Sequence, residues 1–322
     1  MRYVVYGAGA VGGVIGAYLH RAGLPVTLVA RGAHLAAIRA DGLVLDAGDG
    51  RHVVDARATD TAAEVAWTED TVVLLAVKSH QAGDALSDLR AHAPSTAPVV
   101  CATNGVATEV ATLRLFARTY GICVMLPASH LEPGVVVAGC HPTPAILDIG
   151  RFPGGTDAVT AAVAADLRTA GIDSVEREDV MAMKRRKLVL NLGNGVDASF
   201  ARGEAADELA ARAEAEGETV LAATGATLAT AQEDLERRGS VLQPRPDLER
   251  RGGSTWQSLA RATGDSEIDY LAGEIVLQGR LLGVPTPVND AIVTATRSLT
   301  AAGGAPRSLD ASEVLAGLPS GA

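Results

Sequence analysis

The chain has 322 residues, a formal net charge of −10, 48% apolar residues and only 3% aromatics. That length and balance support a substantial buried core, most simply in two domains, and exclude disorder and an aromatic-rich binding surface. The acidic excess argues against attraction to nucleic acid or an anionic membrane, and no run approaches the roughly 18 uninterrupted apolar residues of a spanning helix.

The first segment, RYVVYGAG, enters a strand directly with no basic-then-apolar leader, so a cytoplasmic protein is expected. Up to about residue 175, short β-branched runs alternate with Ala-rich helical stretches, the pattern of a parallel sheet covered on both faces. Strands are expected at 3–6, 26–30, 72–77, 99–102 and 121–126; the unbroken runs VVLLAV and VVCA suit central positions. GVVVAG and PAILDIG read as antiparallel additions at one edge, and Gly154-Gly155 opens one more helix. Cys101, Cys123 and Cys140 match neither a metal knuckle nor a disulfide framework, so reduced, buried thiols are expected. The seven histidines show no clustered ligand spacing, and no metal site is expected.

From about residue 180 the pattern is helical, with no convincing strand. The fold class that follows is α/β: a Rossmann-type doubly wound parallel sheet in 1–177 and an all-α domain in 178–322. The Ala-, Glu- and Arg-rich stretch 202–238 reads as one or two surface helices carrying solvated charge. Residues 237–253, with two prolines and three glycines, read as a loop or broken helix, and the tail after Gly303 as frayed. No internal repeat is present.

GAGAVG, comprising Gly7, Ala8, Gly9, Ala10, Val11 and Gly12, lies between a strand and a helical stretch, the context that a dinucleotide fingerprint requires. Gly7 permits the tight turn, Gly9 leaves no Cβ in the way of a pyrophosphate, and Gly12 allows helix and strand to pack closely. The helix N-terminus offers free N–H groups to the anion. At the end of the second strand, where an NAD site places an acid, stands Arg31, whose guanidinium suits a 2′-phosphate, with no acid adjacent in sequence. NADPH/NADP+ is therefore the expected cofactor; a solvated surface arginine is the plainer alternative.

Lys78 and Asn104 close the third and fourth expected strands, at the sheet edge where ligands sit. Lys78 suits an anionic substrate or a cofactor phosphate, and the Asn104 amide suits a nicotinamide or a carbonyl. A hydrated strand-end lysine and an Asn-Gly turn are the alternatives. In KRRKLVLNLGNG, Lys187 and Asn191 are four apart and Asn194 three further on, so all share one helix face. Burial of a lysine lowers its pKa toward a range useful for proton donation by the ammonium; a snorkelling lysine is the alternative. Ser254 and Thr255 supply hydroxyls, and Glu267 follows twelve residues later, readable alone as a helix-start carboxylate.

Through GAGAVGG, VAR, AVKSHQ, TNGV, KLVLN and above all SEIDYLAGEIVLQGRLLGVPTPVN, the chain resembles the ketopantoate reductase (2-dehydropantoate 2-reductase) family over almost its whole length. The resemblance implies NADPH-dependent reduction of a 2-oxo acid, in a cleft between a Rossmann and a helical domain, as in pantothenate biosynthesis. By position it implies that Lys187 is the general acid and that Glu267 binds the substrate hydroxyl and helps hold the lysine. It further implies that Asn104 and Asn191 are cleft amides, Lys78 the strand-end lysine, and Thr255, with Ser254 beside it, the hydroxyl for the substrate carboxylate; Asn194, on the same helix face as Asn191, is a further substrate-binding candidate. The chain departs from the family pattern Lys-x-x-x-Asn-x-x-x-Asn-Pro: its second interval is one residue shorter, Gly195 replaces the proline, and a further asparagine is replaced around Arg202. These changes fall where substrate shape is read. A reductase of another 2-oxo acid or related ketone and a non-catalytic NADPH-sensing module are therefore kept as alternatives. The expected partners are a small 2-oxo acid and, at most, a second copy in a homodimer; nucleic acid and membranes are not expected.

Overall fold

The structure, a computed structural model, describes residues 1–249, 252–261 and 266–319. The chain divides into two compact units, Met1–Lys184 with Gln232–Leu248, and Arg185–Ala231 with Glu249–Ala322.

The first unit runs β1 (Arg2–Tyr6), α1 (Ala10–Arg21), β2 (Val26–Val29), α2 (Gly32–Asp41), β3 (Leu43–Ala47), β4 (Gly50–Val54), β5 (Arg57–Thr59), β6 (Thr71–Leu75), α3 (Ala82–His92), β7 (Val99–Cys101), α4 (Thr108–Leu113), β8 (Thr119–Met125), β9 (Ala128–Ser129), β10 (Val135–Ala138), β11 (Ile146–Arg151) and α5 (Ala158–Thr169). A seven-stranded sheet is ordered β11-β8-β7-β6-β1-β2-β5. All its pairings are parallel except β11 against β8. Strands β6, β7 and β8 are buried at every position, as their unbroken apolar sequences require. The chain winds outward from β1 through β2 in one direction and through β6, β7 and β8 in the other. The topological switch therefore lies beside the carboxyl end of β1.

The five expected parallel strands and the antiparallel edge strand in PAILDIG are present. GVVVAG is corrected: β10 does not extend this sheet but pairs parallel with β3 in a second sheet ordered β4-β3-β10-β9. That sheet covers α1 from its other side; a Cβ at Gly13 would lie 2.7 Å from Val136 Cγ1. Helix α1 is thus buried on two faces, which accounts for its content of small residues.

The second unit contains most of α6 (Val180–Ser199), then α7 (Glu204–Ala223); α8 (Ala231–Arg238) returns the chain to the first unit, and α9 (Ser254–Ala260), α10 (Ala272–Leu282), α11 (Pro287–Ala301) and α12 (Ala311–Gly317) complete the second. Glu216 of α7 caps α11 by accepting from the Val288 and Asn289 backbone N–H groups at 3.0 and 2.8 Å. Two expectations are corrected here. Charge in 202–238 is not all solvated: Arg237 donates twice to the fully buried Asp148 of β11, at 2.8 and 2.6 Å, and once to Asp173 at 2.8 Å. The tail is not frayed over residues 304–319: Leu309 bridges Phe200, and Asp310 caps α12 by accepting from Ser312 N at 2.9 Å. Cys101, Cys123 and Cys140 are buried thiols, and burial pushes the pKa of Cys101 far up. Among the described residues no helix is long and apolar enough to cross a membrane.

Candidate active site

The glycine turn begins where β1 ends. Gly7 adopts φ +102°, and the Gly7 and Ala8 N–H groups both donate to Val29 O at 3.0 Å, which locks the turn against β2. A Cβ at Gly12 would collide with the Gly7 carbonyl oxygen and approach Ala76 Cβ and Val5 Cγ1 to 2.9 Å, so only glycine lets α1 sit this close to the sheet. Gly9 differs. Its φ of −70° suits any residue, and an added Cβ would meet nothing within 4 Å. Neither backbone conformation nor internal packing requires glycine there. Helix α1 has no side-chain cap and no acid in its first turn, so its free N–H groups are open to an anion. These residues fit a dinucleotide pyrophosphate.

His34 of α2, which sequence reasoning missed, braces this turn. Its Nδ1 accepts from the Gly134 N–H at 2.8 Å, so the neutral ring carries its hydrogen on Nε2, which donates to Ala8 O at 2.7 Å. Burial lowers its pKa, outweighing the Ala8 bond, and the His130 ring 4.0 Å away also disfavours charge. A lone histidine on an amphipathic helix carries no sequence signal for this role.

Arg31 is the exposed residue leading into α2. Its guanidinium lies against the Tyr6 hydroxyl, which donates to Asp88 Oδ2 at 2.6 Å; burial and Asp88 push the tyrosine pKa up, against the pull of Arg31. An acid therefore stands near Arg31 in space although none does in sequence. Asp88 also accepts from Ala62 N at 2.7 Å, so its charge is already well engaged.

Lys78 and Asn104 follow the adjacent strands β6 and β7, beside the glycine turn at the carboxyl edge of the sheet. Ser79 Oγ donates to Asn104 O at 3.2 Å and ties the two loops together. Gly105, at φ +73°, makes the turn after the asparagine. Beneath lies a second feature missed from sequence: Lys184, 3% exposed, donates to Thr103 O at 2.8 Å and Ile122 O at 3.2 Å. It also pairs with the fully buried Glu109 at 2.7 Å.

In the second unit, Lys187 and Asn191 are half-buried on one face of α6. Asn194 Nδ2 donates to Asn191 Oδ1 at 3.1 Å, a contact that the three-residue spacing makes possible. A Cβ at Gly253 would lie 3.1 Å from Asn194 Oδ1, so the start of α9 abuts this asparagine pair. Next along α9, Ser254 is half-buried and Thr255 only 1% exposed; Thr255 Oγ1 is buried with no hydrogen-bond partner among the described residues. Glu267, 8% exposed, precedes Ile268, whose Cδ1 lies 2.8 Å from where a Gly195 Cβ would stand, so this segment also packs on α6. The other basic residues of the KRRK run have separate tasks. Arg185 donates to Thr227 O at 2.8 Å, and Arg186 to Ala229 O at 2.6 Å while also pairing with Glu218.

Residues 3–154 match the family model described as Ketopantoate reductase PanE/ApbA, and residues 179–300 its C-terminal counterpart. A 2-dehydropantoate 2-reductase of Pyrococcus horikoshii is 26% identical over 310 residues, covering 93% of this chain and 98% of that protein. A second, from Mesorhizobium japonicum, is 29% identical over 329 residues with the same coverage. The crystal structure of a PanE/ApbA family ketopantoate reductase from Ralstonia eutropha superposes with TM-score 0.80 at 28% identity, over 94% of this chain and 99% of that one. D-mandelate dehydrogenase bound to NADH and anilino(oxo)acetate shares the fold, with TM-score 0.80 at 23% identity over the same shares.

Proposed function

The chain belongs to the ketopantoate reductase family, as an NADP-dependent oxidoreductase acting on CH–OH groups, and we propose that it reduces the ketone of 2-dehydropantoate to give pantoate. The observation that carries the reading is the Thr255 hydroxyl, buried without a hydrogen-bond partner among the described residues, on the helix whose start abuts Asn194. A buried hydroxyl with no acceptor costs about 1–3 kcal/mol, and the carboxylate of a 2-oxo acid is the acceptor it lacks.

NADPH, when bound, supplies the hydride to the ketone carbon. Gly9 and the open start of α1 receive its pyrophosphate, Arg31 its 2′-phosphate, and the Asn104 amide orients its nicotinamide. Lys78 offers a positive charge at the same sheet edge. In the helical unit, Thr255 and Ser254 hold the substrate carboxylate and Asn191 steadies the substrate. Lys187 stabilises negative charge developing on the ketone oxygen and then gives it a proton, while Glu267 binds the resulting hydroxyl and orients the lysine. The ketone thus gains one hydride and one proton, and the positioned acid contributes roughly 100- to 10,000-fold.

A second reading, the same reaction on another 2-oxo acid, rests on the Asn191–Asn194 hydrogen bond, which engages an amide carbonyl that substrate would otherwise meet. The test is loss of NADPH absorbance with a panel of 2-oxo acids, ketopantoate included. The highest kcat/KM is expected for ketopantoate. A higher value for another 2-oxo acid selects the second reading, and no turnover with any ketone refutes both.

A further inference from the structure

We infer that Lys184 and Glu109 are positioning residues that hold Asn104 in register for hydride transfer. The inference rests on the reading of Asn104 as the amide that orients the nicotinamide.

Both members of this ion pair are removed from water, Lys184 on the first turns of α6 and Glu109 in the first turn of α4. A buried ion pair is a poor device for stability, because well-packed apolar residues of similar volume commonly do as well or better. This pair is also incompletely satisfied, since Glu109 Oε2 has no hydrogen-bond partner among the described residues. Room for it comes from a bare position in the middle of β8: a Cβ at Gly121 would lie 3.3 Å from Glu109 Oε1 and 3.5 Å from Lys184 Cδ. Glycine inside a strand weakens it, so strand quality is given up to accommodate the charges.

What the pair achieves is geometric. The ammonium donates to Ile122 O on β8 and to Thr103 O, and its charge pairs with Glu109 at 2.7 Å. Ile122 and Glu109 fix the amine relative to the sheet, and the amine in turn fixes the carbonyl immediately before Asn104. The carbonyl of Asn104 itself accepts from Ser79. The peptide units on both sides of the asparagine are therefore restrained, the inner one by a charge-assisted bond that a neutral donor would not match. Displacement of a catalytic-site group by about 1 Å can cost on the order of 100-fold in rate.

The experiment replaces the whole pair, Lys184→Met with Glu109→Leu, leaving no lone buried charge. The expected result is an unchanged or higher Tm, an NADPH Kd within about threefold of wild type, and kcat per NADPH-binding site down by about 10- to 100-fold. A purely structural pair would instead lower Tm and leave kcat per site unchanged, which overturns the inference. Glu109→Gln keeps shape and fold but weakens the hold on the amine; it is expected to lose about threefold to tenfold in kcat, and wild-type kcat here also overturns the inference. Asn104→Ala separates the two readings. Unchanged kcat in Asn104→Ala refutes the role of Asn104 itself. If that variant is impaired, adding the pair replacement to it should cost nothing further, because both act through one amide; multiplicative losses show that the pair acts elsewhere.

Discussion

Replacing Thr255 by valine should move stability and substrate affinity in opposite directions. Valine has the shape of threonine without the hydroxyl, and the side chain is 1% exposed, so the exchange changes chemistry and not packing. Oγ1 is buried without a partner among the described residues; removing such a group recovers up to the cost of about 1–3 kcal/mol that it imposes. With substrate present, the same hydroxyl donates to a carboxylate, and a hydrogen bond to a charged group contributes about 1.5–3 kcal/mol. At about 1.4 kcal/mol per factor of ten, KM for the 2-oxo acid should rise roughly 10- to 150-fold while NADPH affinity stays near wild type. Thermal unfolding and steady-state kinetics on one preparation read both effects. A lowered Tm with an unchanged KM would refute the reasoning, since the hydroxyl would then have a structural task and no ligand.

The glycine turn makes a paired prediction. Gly9→Ala should be neutral or stabilising by about 0.4–1 kcal/mol, because its backbone suits alanine and its Cβ meets nothing, yet NADPH should bind at least tenfold more weakly by titration. Gly12→Ala should lose both, since its Cβ strikes the Gly7 carbonyl and forces α1 off the sheet, at about 1–3 kcal/mol in unfolding experiments. Arg31→Ala should narrow the ratio of kcat/KM for NADPH over NADH, and an unchanged ratio would remove the 2′-phosphate role. His34 sets an acid limit. Its pKa lies below the ordinary 6.5, so the neutral ring's contribution is complete above about pH 6.5 and is lost as pH falls further. The Tm drop between pH 7.5 and 5 should accordingly be smaller in His34→Gln than in wild type.

Elements governed by local chemistry are readable from sequence. The unbroken apolar runs mark the buried strands, and the glycine turn is written in six consecutive residues. The hairpin of β3 and β4 left a trace too, since Asp49-Gly50 is a turn signal between β-branched runs, but Val53 is 69% exposed and the alternation is weak. Which sheet β10 joins is settled by β3, far away in sequence, and no local pattern encodes that choice. The same holds for side chains with remote partners. His34 serves a carbonyl 26 residues away and Lys184 one 81 residues away, and within the KRRK run Lys184, Arg185 and Arg186 meet three different sets of partners. Two signals were available. Asp148 inside an apolar strand demands a cation, which Arg237 supplies, and Asp310-Ala-Ser-Glu is a helix-capping pattern inside a glycine-rich tail.

Proton transfer to the ketone oxygen by the amine of Lys187 is tested most directly by single-turnover oxidation of pre-bound NADPH by ketopantoate, wild type against Lys187→Ala. The hydride-transfer rate should fall about 100- to 10,000-fold while the NADPH Kd stays within about threefold. Equal rates in the two proteins would contradict the assignment of proton transfer to this residue.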